Sequence, residues 1–156
     1  MSEQVENRPM AVVLAAGKGT RMKSELPKVL CTALGKPLVH YVIDSLAFAG
    51  VGRMVAVVGY REDLVRESLS DNPNIDFASQ TEQLGTGHAV MMCRDQLRNH
   101  HGPVVVVAGD SPMLQTSSIQ AILGEFSKQR SLRPGNADPR QSDGTGQNRP
   151  QRSARI

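Results

Sequence analysis

No tryptophan occurs in this chain, and aromatic residues make up only 3% of it. Any core must therefore be assembled from Val, Leu, Ile, Ala and Met. Its two cysteines, Cys31 and Cys93, are isolated and form no CxxC pair. That spacing suggests neither a zinc site nor a disulfide framework. No apolar run approaches the roughly 20 residues needed to span a bilayer. The opening MSEQVENRP also lacks the basic-then-apolar pattern of a secretory signal. These absences point to a cytoplasmic chain with no membrane association. At 156 residues it has the size of one domain with a single core.

Charge is unevenly placed. From position 127 onward seven Lys and Arg stand against two Asp, giving the tail +5 and leaving −2 for residues 1–126. The basic pI near 9.1 thus belongs to the tail and not to a folded face, which argues against nucleic acid as a specific partner. Residues 127–156 are rich in Gly, Pro, Gln, Ser and Arg. Such a composition buries too little to offset its ordering entropy, and disorder is expected there. Residues 1–9 read as a disordered lead-in, which leaves 10–126 as the folded unit.

Within that unit, apolar runs alternate with helical periodicity. Residues 10–14, 54–58, 75–78 and 104–108 read as strands, the first bounded by Pro9 and Gly17. Gly35-Lys36-Pro37 is a turn, with Pro37 suited to the start of a helix that Gly50 ends. Further helices are expected over 61–69, 88–98 and from the Thr116-Ser117-Ser118 cap through Phe126. This alternation implies a Rossmann-like α/β fold, a mostly parallel sheet with helices on both faces. Ligands of such sheets bind beyond the carboxyl ends of the strands. The glycine-rich breaks fall there.

The first break, after MAVVLAA, is Gly17-Lys18-Gly19-Thr20-Arg21. It is neither a Walker A loop nor GxGxxG, since position 22 is Met. With Lys18, Arg21 and Lys28 nearby, it can bring backbone N–H groups and cationic heads to one sheet edge, a phosphate-handling arrangement. The alternative is a solvated basic loop. Asp110 follows the fourth strand directly, where a carboxylate facing a phosphate loop suits Mg²⁺; it could equally cap the Ser111-Pro112 turn. In QTEQLGTGH, residues 80–88, Gly85 and Gly87 allow close backbone approach, and Gln80 can donate and accept at a nucleobase edge. A plain surface turn is the competing reading, and His88 suits capping of the next helix better than acid–base work.

Together LAAGKGTRM, LPKVL, QLGTGHA and AGDSPML resemble the N-acetylglucosamine-1-phosphate uridylyltransferases, the N-terminal part of the bacterial bifunctional GlmU family. The resemblance covers about residues 10–126. It implies transfer of UMP from UTP to N-acetylglucosamine 1-phosphate, giving UDP-N-acetylglucosamine, a cell-wall precursor, and pyrophosphate. UTP and a sugar 1-phosphate would be the partners, and Mg²⁺ the cofactor. It further implies that Leu14, Ala15, Ala16 and Gly17 pass along the nucleotide and that Arg21 and Lys28 act on the phosphates. Gln80, Gly85 and Thr86 would recognise uracil and the adjoining nucleotide, Asp110 would bind the metal, and Ala108 falls at another nucleotide-side position.

The chain also departs from that family. A sugar-binding half with a second metal ligand, and then an acetyltransferase domain, would follow; here the polar tail stands instead. Two other readings are a truncated nucleotide-binding fragment without turnover and a transferase using another nucleotide. QLGTGHA argues against the last.

Overall fold

The computed structural model describes residues 8–19 and 25–131. Strand β1 (Met10–Ala15) is the centre of a four-stranded parallel sheet. It pairs with β4 (Arg53–Val58) on one side and β6 (Val104–Ala108) on the other, and β5 (Ile75–Ser79) lies outside β4. The order is β5-β4-β1-β6. Connections from β1 run outward to β4 and β5, then return across β1 to β6. The strand order therefore reverses between β1 and β6, where open α/β sheets place their ligand crevice.

Alternation along β1 explains why this run is apolar throughout. Ala11, Val13 and Ala15 face a layer containing α1 (Leu38–Phe48), α2 (Glu62–Leu69) and α5 (Thr116–Ser131). Met10, Val12 and Ala16 face the opposite layer, where α3 (Thr86–Met91) and α4 (Arg94–Leu97) supply Ala89, Cys93 and Leu97. A strand covered on both sides has no polar face to show. The largest fully buried side chains are Met10, Leu46, Met54 and Ile119 with a set of valines, which is how a core without tryptophan is filled.

The structure differs from the sequence reading in four places. The turn before α1 is a small antiparallel ribbon of β2 (Thr32–Ala33) and β3 (Lys36–Pro37), closed by Leu34 and Gly35, both with positive φ. This is the backbone a two-residue hairpin demands. The single helix expected over 88–98 starts earlier, at Thr86, and is broken in two. Cys93 N–H bonds the Val90 carbonyl, a tight three-residue turn that carries Cys93 into the core. Strands β1, β4 and β5 are each one residue longer than expected. Helix α5 continues to Ser131, five residues past the boundary set at Phe126.

The two sheet edges are finished differently. On β5, Asp76 meets Arg53 at 2.6 Å, Arg66 lies over the Phe77 ring and Ser79 Oγ donates to Glu62. On β6, Val104 and Val106 are exposed and no charge stands along the strand. Charged side chains are a common guard for sheet edges.

Candidate functional site

Three loops meet around a cavity of about 420 Å³ beyond the carboxyl ends of β1, β5 and β6. That volume falls in the range of small-molecule sites. From β1 and the turn after it come Leu14, Ala16, Gly17 and Gly19; a 3₁₀ turn, Lys28–Leu30, contributes Lys28 and Val29. The segment from β5 into α3 supplies Gln80, Gln83, Gly85, Thr86 and Ala89, and β6 ends there with Ala108 and Asp110. Among these residues Lys28 and Asp110 carry the only charges.

Lys28 Nζ and the Asp110 carboxylate are 2.5 Å apart. The lysine is 45% exposed and the aspartate 26%, so the pair can exchange partners with an incoming ion or ligand. Gly19 brings its turn against Lys28: with φ at +69°, a Cβ here would come within 2.8 Å of Lys28 Cβ. The opposite end is neutral and more buried. Gln80 is 5% exposed, the one buried polar side chain among the described residues. Its Nε2 donates to the Gly85 carbonyl at 3.3 Å and contacts His88 Nδ1 at 3.0 Å. Gly85 holds φ +97° and ψ −179°, a conformation open essentially only to glycine, and this turns its carbonyl back to Gln80.

Leu14, Ala16, Gly17, Lys28, Gln80, Gly85, Thr86, Ala108 and Asp110, all singled out in the sequence, thus line one cavity. Ala15 does not line it: strand alternation turns its methyl into the core beside α1. Arg21 lies outside the described residues. Lys18 faces away, its ammonium 5.2 Å from the Tyr60 ring centroid. Gln83, which no sequence motif singles out for this part, is a structural tie. Its Nε2 donates to the Ala16 carbonyl at 2.8 Å, strapping the β5–α3 loop onto β1. Only its place in the glycine-rich stretch hinted at this. His88 sits inside α3 and not at its cap, with its ring turned to Gln80.

As to a metal, among the described residues Asp110 is the only carboxylate lining the cavity, and no cluster of three His, Cys, Asp or Glu occurs among them. A single carboxylate does not make a zinc centre. It does suit Mg²⁺, which takes one or two carboxylates and completes its shell with phosphate oxygens and water.

An open parallel sheet with this crevice at its switch point is the arrangement of a ligand-binding α/β domain. The profile of the MobA-like NTP transferase domain matches residues 11–143, and the chain belongs to that family. It is 46% identical over 120 residues to the bifunctional protein GlmU of Exiguobacterium sp. strain AT1b, covering 77% of this chain and 26% of that protein. The GlmU of Streptococcus agalactiae is 44% identical over 114 residues, or 73% of this chain and 24% of the relative. The chain therefore spans about a quarter of the length of these curated relatives. Among solved structures, a nucleotidyl transferase from Methanothermobacter superposes with a TM-score of 0.64 at 23% identity, over 76% of this chain and 57% of that one. HddC from Yersinia pseudotuberculosis, solved in complex with GMP-PN, gives 0.54 at 27% identity, over 65% and 47%. No helix among the described residues is long and apolar enough to cross a membrane.

Proposed function

We propose that the cavity is the nucleotide half of a uridylyltransferase site, serving transfer of UMP from UTP to N-acetylglucosamine 1-phosphate. The observation that carries this reading is the division of one cavity into a neutral amide end and a charged Lys28–Asp110 end. A nucleoside triphosphate is divided in the same way. Gln80, Gly85 and Thr86 take the base and adjoining nucleotide, while Leu14, Ala16 and Gly17 run beside its sugar and first phosphate. Lys28 and Arg21 take up triphosphate charge. Asp110 would hold Mg²⁺ together with phosphate oxygens and water, and the bound ion would offset phosphate charge.

In the proposed reaction an oxygen of the sugar 1-phosphate attacks the α-phosphorus of UTP. The bond from that phosphorus to the bridging oxygen breaks, and pyrophosphate leaves. No covalent enzyme intermediate is required, so the protein's part is positioning and charge neutralisation. Lys28 is poised for this role, because a phosphate arriving in the cavity can replace Asp110 as its partner. A reaction fed by UTP fits a cytoplasmic location.

A second reading, binding without turnover, is favoured by the exposed valines of β6. Among the described residues nothing beyond that strand walls the cavity for a sugar. Titration calorimetry with UTP, CTP and GTP in the presence of Mg²⁺ tests the nucleotide assignment, with UTP expected to bind best. Coupled detection of pyrophosphate separates the two readings. Release that depends on N-acetylglucosamine 1-phosphate supports turnover by this chain; UTP binding without release supports the binding half alone. Binding of no nucleotide would overturn both.

A further inference from the structure

Gln80 has one amide oxygen and two N–H donors, and a neighbour on each side decides which of them faces the cavity. The Gly85 carbonyl at 3.3 Å can only accept, so the Gln80 NH₂ must point toward it. The same nitrogen reaches His88 Nδ1 at 3.0 Å, which makes Nδ1 an acceptor and leaves the ring proton on Nε2. Both donors are then occupied within the protein. Among the described residues nothing bonds Gln80 Oε1, and Gln80 lines the cavity although only 5% exposed. His88 does not line it.

Resting on the uridylyltransferase reading above, we propose that His88 is a positioning residue. By holding the Gln80 amide, it presents Oε1 to the cavity, and so the site prefers a pyrimidine bearing N3–H over one whose N3 is bare. Uracil carries that hydrogen. Cytosine does not, and its N3 lone pair would meet the lone pairs of Oε1. A free glutamine could rotate its amide and serve either base, so discrimination requires the amide to be locked. Gly85 fixes one hydrogen and His88 the other. Without His88 the amide keeps one anchor and a reversed orientation becomes accessible.

The test uses the whole chain and two variants. His88→Asn keeps an acceptor near Nδ1; His88→Leu fills a similar volume without one. Thermal unfolding checks that each remains folded. Side-chain amide spectra of the nucleotide-free protein report Gln80 directly: its NH₂ pair is expected to be shifted and well dispersed in wild type and in His88→Asn, and to move toward free-amide positions in His88→Leu. Calorimetry with UTP and CTP, each with Mg²⁺, reports the consequence. The UTP:CTP affinity ratio is expected to fall roughly tenfold in His88→Leu and to be largely kept in His88→Asn, the size of effect one lost buried hydrogen bond gives. An unchanged Gln80 amide in His88→Leu overturns the proposal, as does a changed amide with an unchanged ratio. If wild type shows the dispersed amide but no preference for UTP, the uridine assignment itself has failed, and the specificity role falls with it. If His88→Leu does not fold, loss of the ratio in His88→Asn while its fold is intact overturns the rescue on which the proposal depends.

Discussion

At one end of the cavity Gln80 is buried and held by Gly85 and His88; at the other, Lys28 is half exposed and held by a single carboxylate. The difference follows from what each end is proposed to bind. A base is distinguished from its competitors by where its hydrogens are, so the group that reads it must not rotate. A triphosphate presents several equivalent oxygens, and a flexible cation that changes partners serves it better than a fixed one. Buried neutral hydrogen bonds supply selectivity, while exposed charge supplies affinity that salt can screen.

The backbone beneath the two ends offers the strongest way to break this contrast. A Cβ on Gly59 would lie 2.8 Å from the Gln80 carbonyl and 3.1 Å from Ala16, under the amide end. One on Gly109 would lie 2.9 Å from the Leu14 carbonyl and 3.2 Å from Val29, under the charged end. Each Gly→Ala is expected to cost about 1–3 kcal/mol of stability, the usual penalty for overpacking, measurable by urea unfolding. Beyond that shared loss, Gly59→Ala should lower the UTP:CTP ratio, whereas Gly109→Ala should weaken both nucleotides alike.

Asp110→Asn sharpens the charged end. The Lys28 pair is partly exposed, so its loss should change stability by under about 1 kcal/mol. Nucleotide binding should respond more. In wild type UTP affinity is expected to rise with added Mg²⁺, and in Asp110→Asn roughly tenfold of that gain should vanish, as read by calorimetry with and without the ion.

The two cysteines give the smallest effect. Cys93 is buried in the layer under the amide end, its Sγ 3.8 Å from the carbonyl of Ala89, which lines the cavity. Burial pushes its thiol pKa up to about 11. Cys31 follows the Lys28 turn and is only half-buried. Because the thiolate is the nucleophile, a thiol reagent at pH 8 should label Cys31 well before Cys93. The raised value also fixes a sign. Between the unfolded thiol's ordinary pKa near 9.0 and 11, the unfolded chain has lost this proton while the folded one keeps it. This contribution to stability is therefore full below the lower value and declines as pH rises through the window. Chemical unfolding at pH 8 and pH 10.5 checks it.

Much of the fold was legible because β1, β4 and β6 are valine-rich runs closed by glycine, a pattern that leaves few alternatives. The gathering of Leu14, Gln80, Gly85 and Asp110 into one cavity followed from topology, since parallel strands deliver all their outgoing loops to one end. Side-chain direction and tertiary ties were not legible in the same way. Ala15 and Ala16 look alike in sequence, yet strand alternation sends the first into the core and the second to the cavity. The break at Cys93 depends on what α3 packs against and leaves no proline or glycine to mark it. Likewise, His88 gives no sign that it lies against a glutamine eight residues earlier; only the turn at Gly85 brings them together.

The central claim, that one cavity has a base end and a phosphate end, is tested most directly by titrating UTP and uridine into wild type and Lys28→Ala. The account predicts that Lys28→Ala weakens UTP by roughly ten- to a hundredfold, the loss expected when a charge-assisted contact is removed, while uridine binding stays as it was. Equal weakening of UTP and uridine, or UTP binding that is indifferent to the lysine, would contradict it.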